Sequence, residues 1–381
     1  MRADSRLRAA HAALAVAFLA FGAIDGTWAA RLPAIQDGLG LNSGQLGIVI
    51  FAVSIAATAA LPLAGWLTSH RGSRGPAQLG LLVCALGLTL AAFAPGLRTL
   101  VLAACVLGAG FGLVDIATSA HGVALEERVG RPLLSGLHGA WSFGLLAGSG
   151  IAAIAAAAGV GVKIQFPVVA VGVAAVAVLV LPRLLPGDED ATVESARFAL
   201  PRGALALPAF LTFCSMFAEL ATMNWSAVFL AGPAGGGAAV AAGGVIAFSV
   251  AMAFARLGGD RLTARWGVGA LARRGGLLSA AGMLLAIATR SPAPALIGFA
   301  CVGAGCAPIV PAFFRVAASA PGVASGAGIA AVATAGYIGT VVEGPAIGFL
   351  ARGVGLSAAL GLVVAASAAI ALLGPRLERG G

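Results

Sequence analysis

Charge is what this sequence has least of: Asp, Glu, Lys and Arg together make up 10% of its 381 residues, against 60% hydrophobic. A soluble globular chain carries charge on roughly a quarter of its residues, because it must cover a surface in water. A chain this poor in charge needs another solvent for its outside, which argues against a soluble globular domain. Cysteine is also scarce, and Cys84, Cys105, Cys214, Cys301 and Cys306 all lie inside apolar blocks with no metal-ligand spacing. That argues against a disulfide framework and a structural zinc. The four His are scattered, and no P-loop or nucleotide-binding segment is present, so a metal site and direct ATP-driven pumping are not expected. The 56 Gly lack the strict period of collagen and alternate with Leu, Val, Ile and Phe in long blocks. Small residues in apolar helices let backbones approach closely in lipid, where packing joins the helices.

Apolar blocks fill the rest. A helix needs about 20 residues to cross the hydrocarbon core. The blocks give spans over 12–30, 44–67, 76–95, 99–121, 134–158 and 165–185, then 205–231, 238–257, 277–290, 293–318, 324–349 and 353–374. The block 277–290 is short and must borrow from Arg273-Arg274-Gly275-Gly276, while 293–318 is long enough to tilt or bend. Arg2, Arg6 and Arg8 precede the first span like the charged region of a secretory signal. That span runs on to Ala30 with a poor cleavage site, so it reads as retained.

The net charge of +9 is spread through short gaps between the blocks and not gathered into one patch, which argues for topology and against nucleic acid. With twelve spans and both termini in the cytoplasm, eighteen of the 23 basic residues fall on the inner side. Only Arg31, Arg98, Lys163, Arg290 and Arg352 fall outside. Removing one span scrambles this bias, so it supports an even count and that orientation in a bacterial inner membrane. The longest polar stretch, from about Pro182 to Arg202 with Asp188-Glu189-Asp190, reads as a cytoplasmic linker with a short surface helix over 191–198. The expected organisation is an N-terminal six-helix bundle over 1–185, a linker over 186–202 and a C-terminal six-helix bundle over 203–381.

The halves resemble each other. Gly65-Trp-Leu-Thr-Ser-His-Arg71 and Gly259-Asp-Arg-Leu-Thr-Ala-Arg265 both set a Gly six residues before an Arg, between spans 2 and 3 and spans 8 and 9. Gly108-Ala-Gly110 in span 4 matches Gly303-Ala-Gly305 in span 10, and Asp25-Gly-Thr-Trp28 in span 1 answers Asn224-Trp225 in span 7. Three matches in one order mark an internal repeat.

With those motifs the chain resembles the major facilitator superfamily along essentially its whole length. Gly65 to Arg74, including Arg71, is similar to a degenerate copy of that family's loop signature, and Leu257 to Arg265, with Asp260 and Arg261, is a better copy. The resemblance implies that the acid there pairs with nearby Arg and helps lock one conformation; the first copy has no Asp after Gly65. A turn is expected at Gly258-Gly259. Trp28 to Gln36, Gly130 to Ser135, His138 to Ser142 and Trp225 to Leu230 also resemble an uncharacterised bacterial branch near the fucose permeases.

Four acids lie within spans: Asp25, Asp115, Glu219 and Glu343. An ionised carboxylate costs several kcal/mol in hydrocarbon, so each must face a cavity or a partner, or be protonated. Asp25 lies roughly 20 Å along its helix at 1.5 Å per residue, and Glu219 sits at a comparable depth. The pair is expected to line one central cavity, with at least one changing protonation during transport; the plainer alternative is a packing acid. Asp115 follows a Gly-rich stretch and could pair with His138 or Arg131. Glu343 lies toward the outer end of span 11, ahead of Gly344-Pro345, which can bend a helix. His138, Trp141 and Ser142 share one helix face at i, i+3 and i+4, and a Trp ring can stack on the apolar face of a sugar. Trp28, Asn224, Trp225 and Tyr337 complete the candidates, while Glu126-Glu127-Arg128 reads as a solvated loop set.

The fold class expected is all-α, a twelve-helix membrane protein of two pseudo-symmetric six-helix bundles. The function expected is secondary active transport of a small polar solute (a sugar or similar metabolite) by alternating access, with protons as the candidate coupling ion, by a monomer in lipid without cofactors. Drug or metabolite efflux and a non-transporting receptor are the alternatives. No matched nucleophile and base suggests an enzyme.

Overall fold

The computed structural model describes residues 2–130, 133–186, 202–321, 323 and 325–378. Most of the expected linker, with its surface helix, and Arg131 lie outside the described residues. Everything regular in the described chain is helical, as a chain without water around its backbone requires, because a helix satisfies its own N–H and C=O groups.

The first half runs α1 (Arg2–Leu39), α2 (Ser43–Arg71), α3 (Arg74–Ala92), α4 (Leu97–Val129), α5 (Leu134–Ala157) and α6 (Val162–Arg183). α6 is α-helical to Ala175, then widens into a π-turn over Val176–Val180 and tightens into a 3-10 turn over Leu181–Arg183. The second half runs α7 (Ala206–Ala231), then a helical stretch over Gly243–Thr289 that folds back at Gly267. Its arms are α8 (243–266) and α9 (268–289). α10 (Pro292–Ala318) is interrupted at Ala307-Pro308, so the long block bends, as its length requires. α11 (Ser325–Val354) and α12 (Leu356–Leu377) complete a twelve-helix membrane fold.

Two turn assignments differ from expectation. Gly258 and Gly259 are helical, and the α8–α9 reversal occurs at Gly267, with φ 77° and ψ 166°. That left-handed, extended backbone is one that a residue with a Cβ rarely adopts. In the first half the matching break is at Gly72, φ 74°. Both turns therefore sit just after the Arg of the repeated motif and not at its leading Gly. Gly344-Pro345 does not break α11, which stays helical through Pro345. A Pro inside a membrane helix is tolerated where neighbouring helices compensate, and here Gly344 packs directly on α2 at Gly47.

Contacts divide the chain into two compact units. One is the first half without residues 36–51, and the other is those residues together with the second half. The units are pseudo-symmetric six-helix bundles, and glycines show it residue by residue. A Cβ on Gly108 of α4 would strike the Val53 carbonyl of α2, and one on Gly303 of α10 would strike the Phe248 carbonyl of α8. Two residues on, Gly110 faces Gly80 and Cys84 of α3, and Gly305 faces Gly275 and Ser279 of α9. The repeated Gly-Ala-Gly thus serves both of its neighbours in each half. Likewise α1 meets α5 through Gly22, Gly26, Gly144 and Gly148, and α7 meets α11 through Gly336 and Gly339.

Gly108→Ala or Gly303→Ala is therefore expected to destabilise the protein by about 1–3 kcal/mol, since the added methyl must push whole helices apart. Gly172→Ala, on an open face of α6, is expected to be neutral or mildly stabilising. Thermal unfolding of the three variants in one detergent checks the contrast.

Candidate functional site

In the second unit, α7 and α11 bring Asn224, Trp225 and Glu343 together. Glu343 is 0% exposed. Asn224 Nδ2 donates to Glu343 Oε1 at 2.7 Å, and Trp225 Nε1 donates to Oε2 at 3.1 Å. The motif residues of α7 and the acid of α11 lie 118 and 119 positions apart, and the Gly339–Phe213 contact brings their helices close enough to bond. Both oxygens accept and no cation pairs with the carboxylate among the described residues. Asn224 can serve either charge state. Its amide N–H suits the carboxylate, and its carbonyl, after a flip of the amide, suits a protonated carboxyl. Glu343 is thus an acid enclosed by protein, with both oxygens held by side chains of α7.

Glu219, also on α7, is in a different situation. Its Oε1 is 3.1 Å from Arg256 Nη2 of α8, with the side chains 20% and 33% exposed. A neighbouring guanidinium neutralises it. In this structure Glu219 therefore belongs to an ion pair, whereas Glu343 has no counter-charge among the described residues.

In the first unit, Asp25 of α1 is buried and has no hydrogen bond or ion pair among the described residues. One turn back, Phe21 lies 6.4 Å from the Trp141 ring of α5 and 5.4 Å from Phe111 of α4. The Trp141 Nε1 is buried without a partner. The close α1–α5 packing at Gly22 and Gly26 places these groups side by side. The Ser142 hydroxyl is turned back, donating to the His138 carbonyl at 3.2 Å, and His138 stands edge-on to Phe18. Asp115 is half-buried on α4. Trp28 is elsewhere, buried against Phe166 of α6. Tyr337 is half-buried on α11, six residues before Glu343, with its carbonyl accepting from Thr340.

Of the loop residues, Gly65 is helical, Arg71 closes α2, Arg74 opens α3, and Arg261 and Arg265 are exposed on α8. The side chain of Asp260 lies outside the described residues.

Several residues carry roles that spacing does not reveal. Glu126 is not a solvated loop charge: its Oε1 accepts from the backbone N–H of Leu133 and Leu134 at 2.5 and 2.7 Å, capping the start of α5. His121 is fully buried, with Ser73 Oγ 2.6 Å from Nδ1 and the Leu185 N–H donating to Nε2 at 3.3 Å. It ties the α2–α3 turn to the end of α6. Arg31, read as an outer-loop charge, is instead inside α1 and buried. Among the described residues no cluster of His, Cys, Asp and Glu is arranged to hold a metal.

Comparison with known proteins agrees with the fold. The chain is 33% identical over 359 residues to an uncharacterized MFS-type transporter of Yersinia pestis, covering 93% of each. Its fold is similar to that of a solved D-xylose-proton symporter, with a TM-score of 0.77 at 15% identity over 97% of this chain and 98% of that one. It is also similar to FucP, with a TM-score of 0.61 at 17% identity over 96% and 98%. These likenesses do not single out the fucose permeases: the relative is uncharacterized, and the xylose symporter superposes better. The Major Facilitator Superfamily model matches residues 13–344, and with two such bundles built from one repeated motif set, the chain belongs to that superfamily as a multi-pass membrane transporter.

Proposed function

We propose that the protein is a proton-coupled secondary transporter of a small polar solute, working by alternating access in a bacterial inner membrane with both termini in the cytoplasm. The observation that carries the coupling is the Glu343 arrangement: a fully buried acid, no cation beside it among the described residues, and an Asn able to satisfy either protonation state. A carboxylate so placed in a membrane protein is costly to keep and is held for a purpose. Asp25 supplies the acid of the first unit, a solute ligand that accepts hydroxyls. A fold neighbour that by its name moves D-xylose with protons agrees with this reading.

Purified protein in liposomes, offered an array of small polar solutes with internal pH recorded, tests it. Solute uptake with stoichiometric proton movement is expected. Binding without flux would make the protein a receptor, and single-channel-sized currents would make it a channel. Orientation has its own check. A cysteine in place of Glu189 is expected to resist impermeant thiol reagents in intact cells and to react once the inner face is opened, because eighteen of 23 basic residues sort with that side. Labelling from outside would invert the topology.

A further inference from the structure

The α1 end of the first unit holds a charge that the coupling chemistry does not use. Arg31 is 6% exposed, and its Nη2 donates to the Val160 carbonyl at 2.6 Å. Its Nε–H is buried without a partner, and no carboxylate pairs with it among the described residues. Gln165, in the first turn of α6, is 4% exposed, and neither its Nε2 nor its Oε1 has a partner. Both residues are tied to the α5–α6 turn, Arg31 by its side chain and Gln165 by its backbone. Arg31 bonds to Val160, and the Gln165 backbone N–H bonds to the next carbonyl, Gly161, at 3.1 Å. Trp28 and Phe166, one helical turn and one residue away respectively, form an apolar wall with ring centroids 6.4 Å apart.

Buried polar groups are nearly always hydrogen-bonded, and a buried cation without an anion is costlier still. Three orphaned polar atoms on two buried side chains that flank one turn therefore describe a site awaiting something. A guanidinium with free N–H groups suits an oxyanion. One cation matches a monoanionic carboxylate better than a phosphate dianion, since Lys163 nearby is exposed. Gln165 Nε2 offers a second donor to that carboxylate. Gln165 Oε1 asks for a donor in return, and an ammonium would be repelled by Arg31, which leaves a hydroxyl.

Resting on the transport reading, we propose that Arg31 and Gln165 bind the carboxylate and adjoining hydroxyl of a small hydroxy acid, so that the solute is of the sugar-acid class. Asp25 lies six residues back along α1, about 9 Å along the axis and about 120° around it, and is not part of this site.

The test is ligand-induced thermal stabilisation of the purified full-length protein with matched probes: gluconate against sorbitol, and glycerate against glycerol. The acids are expected to stabilise it dose-dependently and the neutral polyols not. Arg31→Gln is expected to weaken the acid effect at least tenfold, and Gln165→Leu, which keeps the cation, several-fold. Equal stabilisation by acids and polyols, no stabilisation by either acid, or unchanged acid affinity in Gln165→Leu would overturn the proposal and leave these groups to trapped water. Liposome flux separates the two readings. Polyol flux that Arg31→Gln leaves intact sinks the hydroxy-acid site and keeps the transporter. Acid binding with no flux of any solute keeps the site and sinks the transporter.

Discussion

Glu343→Gln is expected to fold, to bind solute and to exchange it, yet to lose accumulation against a gradient. Glutamine has one acceptor where glutamate has two. Trp225 Nε1–H can donate only to its carbonyl, which turns its NH2 toward Asn224. Asn224 relieves that contact by flipping, so that its own carbonyl accepts from the new amide. The stability cost should then be small, about 1 kcal/mol for weakened hydrogen bonds. Glu343→Ala allows no such repair. It orphans the donors of Asn224 and Trp225 in a fully buried place, and about 2–3 kcal/mol of stability should go with them. Thermal unfolding of both variants, with and without Asn224→Ala, reads the coupling between the two side chains. Uptake and exchange in the same liposomes read function. If Glu343→Gln accumulates solute normally, Glu343 is only a clamp between α7 and α11, and the proton travels elsewhere.

What the sequence makes legible depends on how far apart the cooperating residues stand. The Gly-Ala-Gly pair at Gly108 and Gly303 is a local pattern, and its meaning in the fold is local too: one small residue for each neighbouring helix. Span count follows in the same way, because hydrophobic length is read along the chain. Turns are less legible, since Gly258, Gly259 and Gly267 all permit a left-handed backbone and only packing chooses among them. The partners of Glu343 are not legible at all. Depth along a helix fixes how far an acid lies from an interface, but not the rotation that decides which neighbour it faces. The same gap explains Arg31, which charge counting places with the outer loops while a single bond to Val160 and burial keep it inside α1. It also explains Glu219, which the sequence places at a depth comparable to that of Asp25 although its chemistry is set by Arg256.

That difference between Glu219 and Asp25 carries the second large expected effect. Asp25→Asn removes a charge that has no partner among the described residues, so folding should be little changed. If Asp25 accepts hydroxyls from solute, binding and exchange should fall together, by roughly tenfold to a hundredfold for a hydrogen bond to a charged group. Glu219→Gln acts differently, because it leaves Arg256 behind. With the pair a fifth and a third exposed, the lost attraction should be worth no more than about 1 kcal/mol. Removing both partners, in Glu219→Gln/Arg256→Gln, should restore what the single change loses. A pair that serves packing is rescued in that way, whereas a carboxylate that carries the coupled proton is not. Proton flux and equilibrium exchange measured side by side for Asp25→Asn, Glu219→Gln and the two double variants decide between them. Wild-type flux and accumulation in Asp25→Asn/Glu219→Gln would leave both acids as structural groups. Loss of accumulation that Arg256→Gln cannot rescue would return the proton to Glu219, because neutralising its partner relieves the stranded charge but cannot supply a site for the proton.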